Sequence, residues 1–417
     1  MSRSSFAVTA VRLGKNSLWL LVARIGAQAL ALFTILLARK LGSVGFGEYA
    51  FFTTAIFIGN VLSTCGTDMF FIREIAARDD LTHLPAALWI QLFLSGLLIV
   101  GIILGAPALP NQSPASIQAL QVYSLTLIPL AFYSVFSTAL RGRQRMDSCA
   151  LLNLAGALLQ VVVVFIFVAS GDGVVALAAL LLIAQGILAL LAGWMCTRQI
   201  AGFWRGWRFS WKDVRAVLIA SAPLGVLGVL GMFYQKLSLV LLSTLGGAAL
   251  TGFFSAALRV VDASKTVHLA VFTSLYPVMS QAQVDSSGPM AEAIRLSWKL
   301  LLAGAVAVAL GLSLLAAPVV NLLYGAEFEP TASVLRIMAW MLIPYTVNSF
   351  LTLAFVASHK ARAVSRALTA SLLGLGLLSL WWIPAHGLGG AAWAVFSAEC
   401  LQAVLLLAQM PKSPKFF

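Results

Sequence analysis

The sequence predicts an all-α membrane protein with about twelve transmembrane helices, arranged as two pseudo-twofold-related six-helix bundles around a central cavity. Three observations lead to this fold class: the composition, a series of long apolar runs, and short motifs that recur half a chain apart. Of the 417 residues, 61% are hydrophobic and only 10% are charged, whereas a soluble domain carries about 25% charged residues. This composition excludes a soluble enzyme, a disordered protein and a nucleic-acid-binding protein.

The apolar runs are each long enough to cross a bilayer, which requires about 20 mostly apolar residues in a helix. Spans 7 to 10 are the longest, so we expect them to tilt or to project beyond the bilayer. The twelve predicted spans, numbered in chain order, are 16–38, 47–72, 86–109, 117–140, 150–170, 173–196, 214–243, 247–279, 296–324, 331–357, 364–384 and 387–409.

The basic residues predict the orientation of these spans. If both termini are cytoplasmic, 20 of the 27 Lys and Arg residues fall in inner segments, and only Arg39 and Lys40 fall in an outer loop. Because positive charge accumulates in cytoplasmic loops, this distribution predicts that both termini lie inside. It also explains the net charge of +13 without a nucleic acid partner. The basic start, 1–15, lacks a convincing cleavage site and predicts a retained first helix.

Two pairs of short motifs indicate an internal repeat. Leu41-Gly42 followed by Gly47 recurs as Leu245-Gly246 followed by Gly252, and the two later glycines are 205 residues apart. The sequence GVVA at 173–176 is echoed by GGAA at 389–392. An offset of half the chain predicts two six-helix halves. Since six is even, both halves enter the membrane from the same side, and the repeat is parallel.

The repeat divides the chain into two lobes joined by a linker. We predict an N-terminal six-helix lobe at 1–200, a cytoplasmic interfacial linker at 201–213, and a C-terminal six-helix lobe at 214–417. The linker is rich in Trp and Arg, a composition typical of segments that lie at the level of the lipid headgroups. Its role is either to anchor the connection between the lobes or to bind anionic lipids.

Motifs of nucleotide-driven and hydrolytic enzymes are absent. The sequence contains no GxxxxGK[ST], HExxH or GxSxG motif, and its four cysteines form no CxxC pair. These motifs position phosphate-binding amides, metal ligands or a nucleophile. We therefore predict no catalytic residue, no metal and no cofactor, and a protein that is not an enzyme.

Cations within the spans are the candidate substrate-binding residues: Arg24, Lys236, Arg259 and Lys265. A charge at the bilayer centre costs about 2.5–3.5 kcal/mol on insertion scales, so it persists where it faces water, substrate or a partner. The alternatives for Arg24 are a cavity position or a snorkelling or paired side chain. For Lys236 they are the cavity or a helix interface. Arg259 and Lys265 either face a cavity or belong to a self-neutralised stripe with Asp262.

Acidic residues within the spans are candidates for ion coupling or charge pairing: Asp68, Asp262 and Glu399. A buried carboxylate can carry a proton during transport, or it can pair with one of the cations. At i,i+3 spacing, Asp262 can pair with Arg259 or Lys265. Cations outnumber acids in the apolar core. This surplus favours an anionic substrate, because phosphate oxygens accept charge-assisted hydrogen bonds from Arg and Lys.

Several motifs resemble those of the oligosaccharidyl-lipid and polysaccharide (O-antigen) flippases of the multidrug/oligosaccharidyl-lipid/polysaccharide exporter superfamily. The resemblance covers nearly the whole chain. The segments that carry it are Ala38-Arg39-Lys40-Leu41-Gly42, Gly45-Phe46-Gly47-Glu48-Tyr49, Arg73-Glu74-Ile75-Ala76, Tyr324-Gly325-Ala326-Glu327-Phe328, Leu335-Arg336-Ile337 and Ile383-Pro384 with Gly387-Leu388-Gly389-Gly390-Ala391-Ala392.

The resemblance implies a flippase that carries a polyprenyl-diphosphate-linked oligosaccharide to the outer leaflet of the plasma (inner) membrane by alternating access. It implies membrane lipids and other polysaccharide-assembly proteins as partners, and a proton or sodium gradient as the energy source. It also assigns Arg24 to the cavity. The family often has an Asp in span 7, a few residues after a Tyr, where this sequence has Ser238. That departure weakens any ion-coupling scheme that depends on this acid.

Three alternatives remain open at this point. A drug/cation antiporter of the same superfamily would need an excess of buried acids, which is the reverse of what the sequence has. A lipid II-type flippase usually has fourteen spans rather than twelve. A membrane polymerase or ligase of the same pathway would need a large outer loop with paired carboxylates or His.

Overall fold

The computed structural model describes residues 33–170, 173–204, 207–282, 289–358 and 360–410. The side chains of 266–295 lie outside this description. The described residues form α-helices, two short 3-10 helices and the turns between them, without a strand among them. The prediction of an all-α protein is therefore confirmed.

The α-helices follow the apolar runs of the sequence. In chain order they are α1 (Phe33–Thr64), α2 (Thr67–Arg78), α3 (Leu84–Gly105), α4 (Pro114–Ser124), α5 (Leu127–Gly142), α6 (Met146–Ser170), α7 (Val174–Gln199), α8 (Trp211–Gly246), α9 (Ala248–Ala282), α10 (Pro289–Leu314), α11 (Ala316–Tyr324), α12 (Glu329–Trp340), α13 (Leu342–Ala357) and α14 (Ala361–Ala408). Spans 2, 4, 9 and 10 are each interrupted and form two helices.

Nine helical segments in the described part of the chain are long and apolar enough to cross a membrane. The last of them, Arg362–Ala408, contains predicted spans 11 and 12. Span 8 corresponds to α9, which carries the charged stripe, and most of span 1 lies outside the described residues. Eleven of the twelve predicted spans therefore correspond to described helices, and the chain is a multi-pass membrane protein.

Two predicted loops are replaced by kinks at single glycines. The segment 39–46 continues α1 through a bend at Gly42 (φ 67°), and spans 11 and 12 join at Gly387 (φ 53°) within α14. A positive φ is costly for residues with a Cβ atom and accessible to glycine. These glycines therefore reverse or bend the chain without a separate loop.

Span 2 is interrupted at Cys65 and Gly66, which both have positive φ (46° and 75°). The break is a point of close helix approach. A Cβ atom at Gly66 would lie 2.3 Å from the backbone nitrogen of Gly225 in α8, and one at Gly225 would lie 2.7 Å from the carbonyl oxygen of Cys65. Only glycine at both positions allows these backbones to come so close.

The chain forms two compact units. Unit 1 comprises the chain up to Lys40, together with Phe52–Leu109 and Ser113–Val229. Unit 2 comprises Leu41–Phe51, Pro110–Gln112 and Leu230–Phe417. Two short pieces of the first half of the sequence thus belong to unit 2. The lobe boundaries expected at 200 and 214 stay a prediction.

Unit 1 has a large apolar core, and ion pairs connect its loops. Its core includes Phe71, Ile75, Leu140, Ala192 and Phe203. Ion pairs join predicted inner loops to one another: Arg143 with Asp79 at 2.9 Å, and His83 with Asp213 at 3.6 Å. These loops therefore meet at one end of unit 1, as expected when consecutive helices cross a membrane in opposite directions. That this end is cytoplasmic stays a prediction.

The predicted linker packs onto unit 1 through its aromatic residues. The indole nitrogen of Trp207 donates a hydrogen bond to the carbonyl oxygen of Phe203 at 2.7 Å. Phe203 is buried in the core, whereas Trp204 and Trp211 are 51% and 72% exposed. Exposed tryptophans beside basic residues are typical of the membrane–water interface.

Candidate substrate and coupling site

The charged stripe on α9 lies within unit 2. The Lys265 ammonium is 3.1 Å from a carboxylate oxygen of Asp262 and 5.1 Å from the centre of the Tyr345 ring on α13. The Lys265 side chain is 18% exposed, and that of Asp262 is 56% exposed. Lys265 is thus held by a carboxylate on one helix and an aromatic ring on another.

Arg259 lies on an aromatic platform formed by residues of α1. Its guanidinium carbon is 5.2 Å from the Phe46 ring centre and 5.8 Å from that of Tyr49. A guanidinium within about 6 Å of a ring centre is attracted to the negative face of the ring. The platform therefore fixes Arg259 of span 8 against two rings of α1. This contact was not predicted from the sequence.

Lys236 joins this group from α8. Its side chain is half-buried, and Asp262, Arg259 and Lys265 all act electrostatically on its ammonium. We call Lys236, Arg259 and Lys265, together with Asp262, the cationic cluster. Within the cluster three cations stand against one carboxylate, so the positive surplus expected from the sequence is concentrated in unit 2.

Glu399 is buried beside the cationic cluster. The amide nitrogen of Asn348 donates to a Glu399 carboxylate oxygen at 2.7 Å and to the Glu399 carbonyl oxygen at 2.9 Å. The charge of Lys265 acts on this carboxylate, and the Tyr234 hydroxyl lies close to it without a hydrogen bond of normal geometry. Glu399 is only 6% exposed. Lys265 therefore connects the cationic cluster electrostatically to a buried acid.

Buried polar atoms without a hydrogen-bond partner accompany Glu399 in unit 2. They include the Asn348 side-chain oxygen, the Tyr234 hydroxyl and the Ser238 hydroxyl. Leaving such groups unsatisfied costs free energy. Ser238, where the family resemblance implied an Asp, presents a hydroxyl at this point of α8.

The other predicted site residues lie elsewhere. Asp68 is half-buried in unit 1, in the first turn of α2, where the partial positive charge of a helix N-terminus stabilises a carboxylate. Arg24 lies outside the described residues. In the part of the chain that the structure describes, no group of His, Cys, Asp or Glu is arranged to hold a metal ion.

The sequence analysis missed four residues of this site: Phe46, Tyr49, Tyr345 and Asn348. Phe46 and Tyr49 belong to the motif quoted for the family resemblance, but nothing in their spacing indicated a contact with Arg259. Asn348 had a detectable signal, because it is an amide within the apolar span 331–357.

Two family models match the chain. The model described as polysaccharide biosynthesis protein matches residues 13–283, and that of lipid II flippase MurJ matches residues 264–417. No curated protein matches the chain by sequence.

Several solved structures share the fold at low sequence identity. A lipid II flippase MurJ in an inward closed conformation has a TM-score of 0.78 and 15% identity, and the match covers 93% of this chain and 86% of that one. A multidrug resistance MATE family transporter in an inward-facing conformation has a TM-score of 0.75 and 16% identity, covering 93% and 96%. A transporter of the same MOP superfamily from Pyrococcus furiosus has a TM-score of 0.65 and 18% identity, covering 95% and 93%.

These matches confirm the predicted fold class and the predicted resemblance. The polysaccharide biosynthesis model covers more than half of the chain, and the structural matches cover nearly all of it. Together they support a lipid-linked flippase, which is a transporter. The chain therefore belongs to the polysaccharide biosynthesis protein family.

Proposed function

We propose that this flippase moves a polyprenyl-diphosphate-linked oligosaccharide from the cytoplasmic to the outer leaflet of the plasma membrane by alternating access, and so supplies surface polysaccharide biosynthesis. The observation that supports this substrate is the cationic cluster of unit 2. Its three cations and the carboxylate of Asp262, with Glu399 beside them, lie within helices of a lipid-linked flippase family, so the cations outnumber these two acids. No chemical step is required, because the substrate changes leaflet and keeps its bonds.

The cationic cluster suits the part of the substrate that cannot cross hydrocarbon. A diphosphate offers several anionic oxygens, and Arg and Lys donate charge-assisted hydrogen bonds to such groups. We assign Lys236, Arg259 and Lys265 to diphosphate binding, and Arg24 to the same task by family resemblance. The polyprenyl tail stays in lipid, and the glycan needs a hydrated path. Asp262 keeps Lys265 in position until the phosphate replaces it.

We assign ion coupling to Glu399. It is buried, hydrogen-bonded by Asn348 and electrostatically linked to Lys265. Neutralising Glu399 with a proton weakens its hold on Lys265 and leaves that cation free for the substrate. Asp262 and Asp68 serve as charge-pairing groups in this scheme. A proton gradient across the membrane is the driving force that fits a carboxylate, with sodium as the alternative ion.

A lipid II-type flippase is the second candidate, since the lipid II flippase model matches residues 264–417 and a structure of that flippase has a TM-score of 0.78. Both substrates present a polyprenyl diphosphate, so the cationic cluster does not separate them. A drug/cation antiporter is disfavoured by the same cluster, because its charge repels a cationic drug. Both termini are proposed to be cytoplasmic, where other polysaccharide-assembly proteins deliver the substrate.

Transport in proteoliposomes tests the proposal. We expect a Lys236→Ala, Lys265→Ala variant to flip an undecaprenyl-diphosphate-linked oligosaccharide at least about tenfold more slowly, because a hydrogen bond to a charged group contributes about 1.5–3 kcal/mol. The measurement is the fraction of labelled glycan that a lectin or glycosidase reaches from the outside. Lys212→Ala, which removes an exposed cation in the first turn of α8, is the matched control and should leave the rate unchanged.

Two results would contradict the proposal. Wild-type flipping by the Lys236→Ala, Lys265→Ala variant would show that the cationic cluster does not bind substrate. Faster flipping of lipid II than of any lipid-linked oligosaccharide would favour the second candidate.

A further inference from the structure

Residues 41–51 pack within unit 2 although they precede most of unit 1 in the sequence. At their start, the backbone nitrogen of Ser43 donates a hydrogen bond to a Glu327 carboxylate oxygen at 2.6 Å. A Cβ atom at Gly42 would lie 2.8 Å from the same oxygen. The kink at Gly42 therefore brings the backbone directly against a carboxylate from the turn after α11.

The same segment crosses the start of α9 with the two backbones in contact. A Cβ atom at Gly47 would lie 1.8 Å from the carbonyl oxygen of Ala248, and one at Gly252 would lie 2.0 Å from that of Ser43. Separations this short are impossible for any residue other than glycine. Gly47 and Gly252 are also the repeat-related glycines, so equivalent positions of the two halves meet at this crossing.

A second piece of the first half, 110–112, closes over the end of α8. The Asn111 amide nitrogen donates to the Thr244 carbonyl oxygen at 2.8 Å, and that of Gln112 donates to the Ser243 carbonyl oxygen at 3.0 Å. The last carbonyls of a helix have no partner within the helix. Asn111 supplies such a donor to Thr244, whereas the Ser243 carbonyl oxygen also accepts from the Gly247 backbone nitrogen at 3.2 Å, so Gln112 adds a second donor there. The segments 41–51 and 110–112, the end of α8 and the start of α9 all belong to loops or span ends predicted to be outside.

An aromatic cluster connects residues 41–51 to the cationic cluster. The Phe46 ring packs against Tyr324 and Phe328, with ring centres 6.5 Å and 6.1 Å away. Phe46 and Tyr49 also carry the Arg259 guanidinium. Residues 41–51 thus include the glycine crossing at Gly47 and also contact Arg259, a cation assigned to substrate binding.

We propose that residues 41–51 form an outer latch, and that Phe46 and Tyr49 are positioning residues that make the latch respond to substrate through Arg259. The inference rests on the proposed function. A diphosphate that draws Arg259 off the two rings removes a contact that holds the latch in place. A ligand shifts a conformational equilibrium only through different contacts in the two states, and Arg259 supplies that difference. Opening of the latch requires the Gly47–Gly252 crossing to separate and the Ser43–Glu327 hydrogen bond to break.

Disulfide cross-linking measures whether the latch is closed. Cysteines replace Ser43 in the latch and Glu327, whose carboxylate lies 2.6 Å from the Ser43 backbone nitrogen, and Cys65 and Cys400, which are partly accessible, become Ser. Oxidation is followed in proteoliposomes with and without undecaprenyl diphosphate, and binding of this lipid is measured separately. We expect the lipid to reduce cross-linking about fivefold in the otherwise unaltered protein. In a Phe46→Leu, Tyr49→Leu variant, cross-linking should no longer respond to the lipid, even at a lipid concentration that saturates binding to that variant.

A glycine variant tests the crossing itself. Gly47→Ala should prevent cross-linking with or without lipid, because the added Cβ atom collides with the Ala248 carbonyl oxygen. Gly228→Ala is the matched control, since its Cβ atom would meet nothing within 4 Å, and it should cross-link like the parent. If Gly47→Ala does not fold, Tyr324→Leu makes the same test by removing a ring against which Phe46 packs and should lower cross-linking.

The outcomes separate this inference from the proposed function. Lipid that binds without changing cross-linking in the parent would overturn the coupling and leave the proposed substrate intact. An unchanged response in the Phe46→Leu, Tyr49→Leu variant would also overturn it. Absence of any binding would overturn the substrate assignment and the coupling together. Normal cross-linking of Gly47→Ala would overturn the latch.

Discussion

Units 1 and 2 place their charged contacts in different parts of their helices. In unit 1 the ion pairs lie at helix ends and loops, as in Arg143 with Asp79 and His83 with Asp213. In unit 2 two charged contacts lie inside the spans, where Lys265 pairs with Asp262 and Glu399 is hydrogen-bonded by Asn348. Pairs at exposed ends contribute little to stability, whereas charges inside the membrane are costly to maintain.

This difference indicates a division of work between the units. Unit 1 maintains its fold with a large apolar core and uses charge at its surface. Unit 2 maintains a set of polar side chains that stability alone does not require, so we assign substrate and ion handling to it. Apart from Arg24, which the family resemblance assigns to the substrate, substitutions in unit 1 should therefore change stability with little effect on transport per folded molecule. Substitutions at the polar groups of unit 2 should change transport.

The largest expected effect is on stability and lies in unit 1. Gly66→Ala should lower the free energy of unfolding by about 3 kcal/mol, because it forces a Cβ atom into a left-handed conformation and against Gly225. Gly228→Ala, in open space within the same α8, should be neutral or slightly stabilising, since alanine favours helix by about 0.5–1 kcal/mol. Thermal unfolding of both variants in detergent measures the difference. Equal unfolding temperatures would show that the α2–α8 approach is not a tight contact.

Two buried amides give the most direct comparison of the units. Asn348→Leu removes the donor to Glu399 in unit 2 and should cost about 1–3 kcal/mol, with reduced flipping by the folded fraction. Gln91→Leu removes a 2.8 Å hydrogen bond to the Thr67 hydroxyl in unit 1. That hydroxyl still donates to the Thr64 carbonyl oxygen, so we expect a loss near 1 kcal/mol and normal flipping.

Flipping rates normalised to folded protein decide between the two outcomes. Equal losses of transport in Asn348→Leu and Gln91→Leu would remove the functional distinction between the units.

The smallest effect should come from the surface charges of unit 1. Arg143→Gln breaks the pair with Asp79, whose side chain is 74% exposed, and should change stability by less than about 1 kcal/mol. The change should shrink further at high salt, because salt screens exposed charges. Unfolding temperatures at low and high ionic strength provide the measurement. A loss of transport in this variant would assign a functional role to a contact that we regard as structural.

Local patterns in the sequence predicted the helices well, because an apolar run of sufficient length has few alternatives in lipid. They did not predict the kinks at Gly42 and Gly387 or the break at Gly66. A glycine adopts a positive φ when its packing demands it, and the packing partner of Gly66 is 159 residues away in the chain.

Only the charged residues of the candidate site could be predicted from the sequence. The stripe on span 8 and the surplus of cations followed from residue types and helical spacing. The platform under Arg259 comes from a segment about 210 residues earlier, and the partner of Glu399 comes from a different span. Contacts between distant helices leave no periodic signal in a single sequence.

The turn at Gly387 limits where the protein can accept inserted residues. Predicted spans 11 and 12 meet at one residue, so no loop separates them in which additional residues could be accommodated. An insertion there would rotate the final helix by about 100° per added residue and turn the Glu399 side chain away from Asn348. Length changes should be tolerated far better in the turn that contains Asp80, which is exposed to solvent.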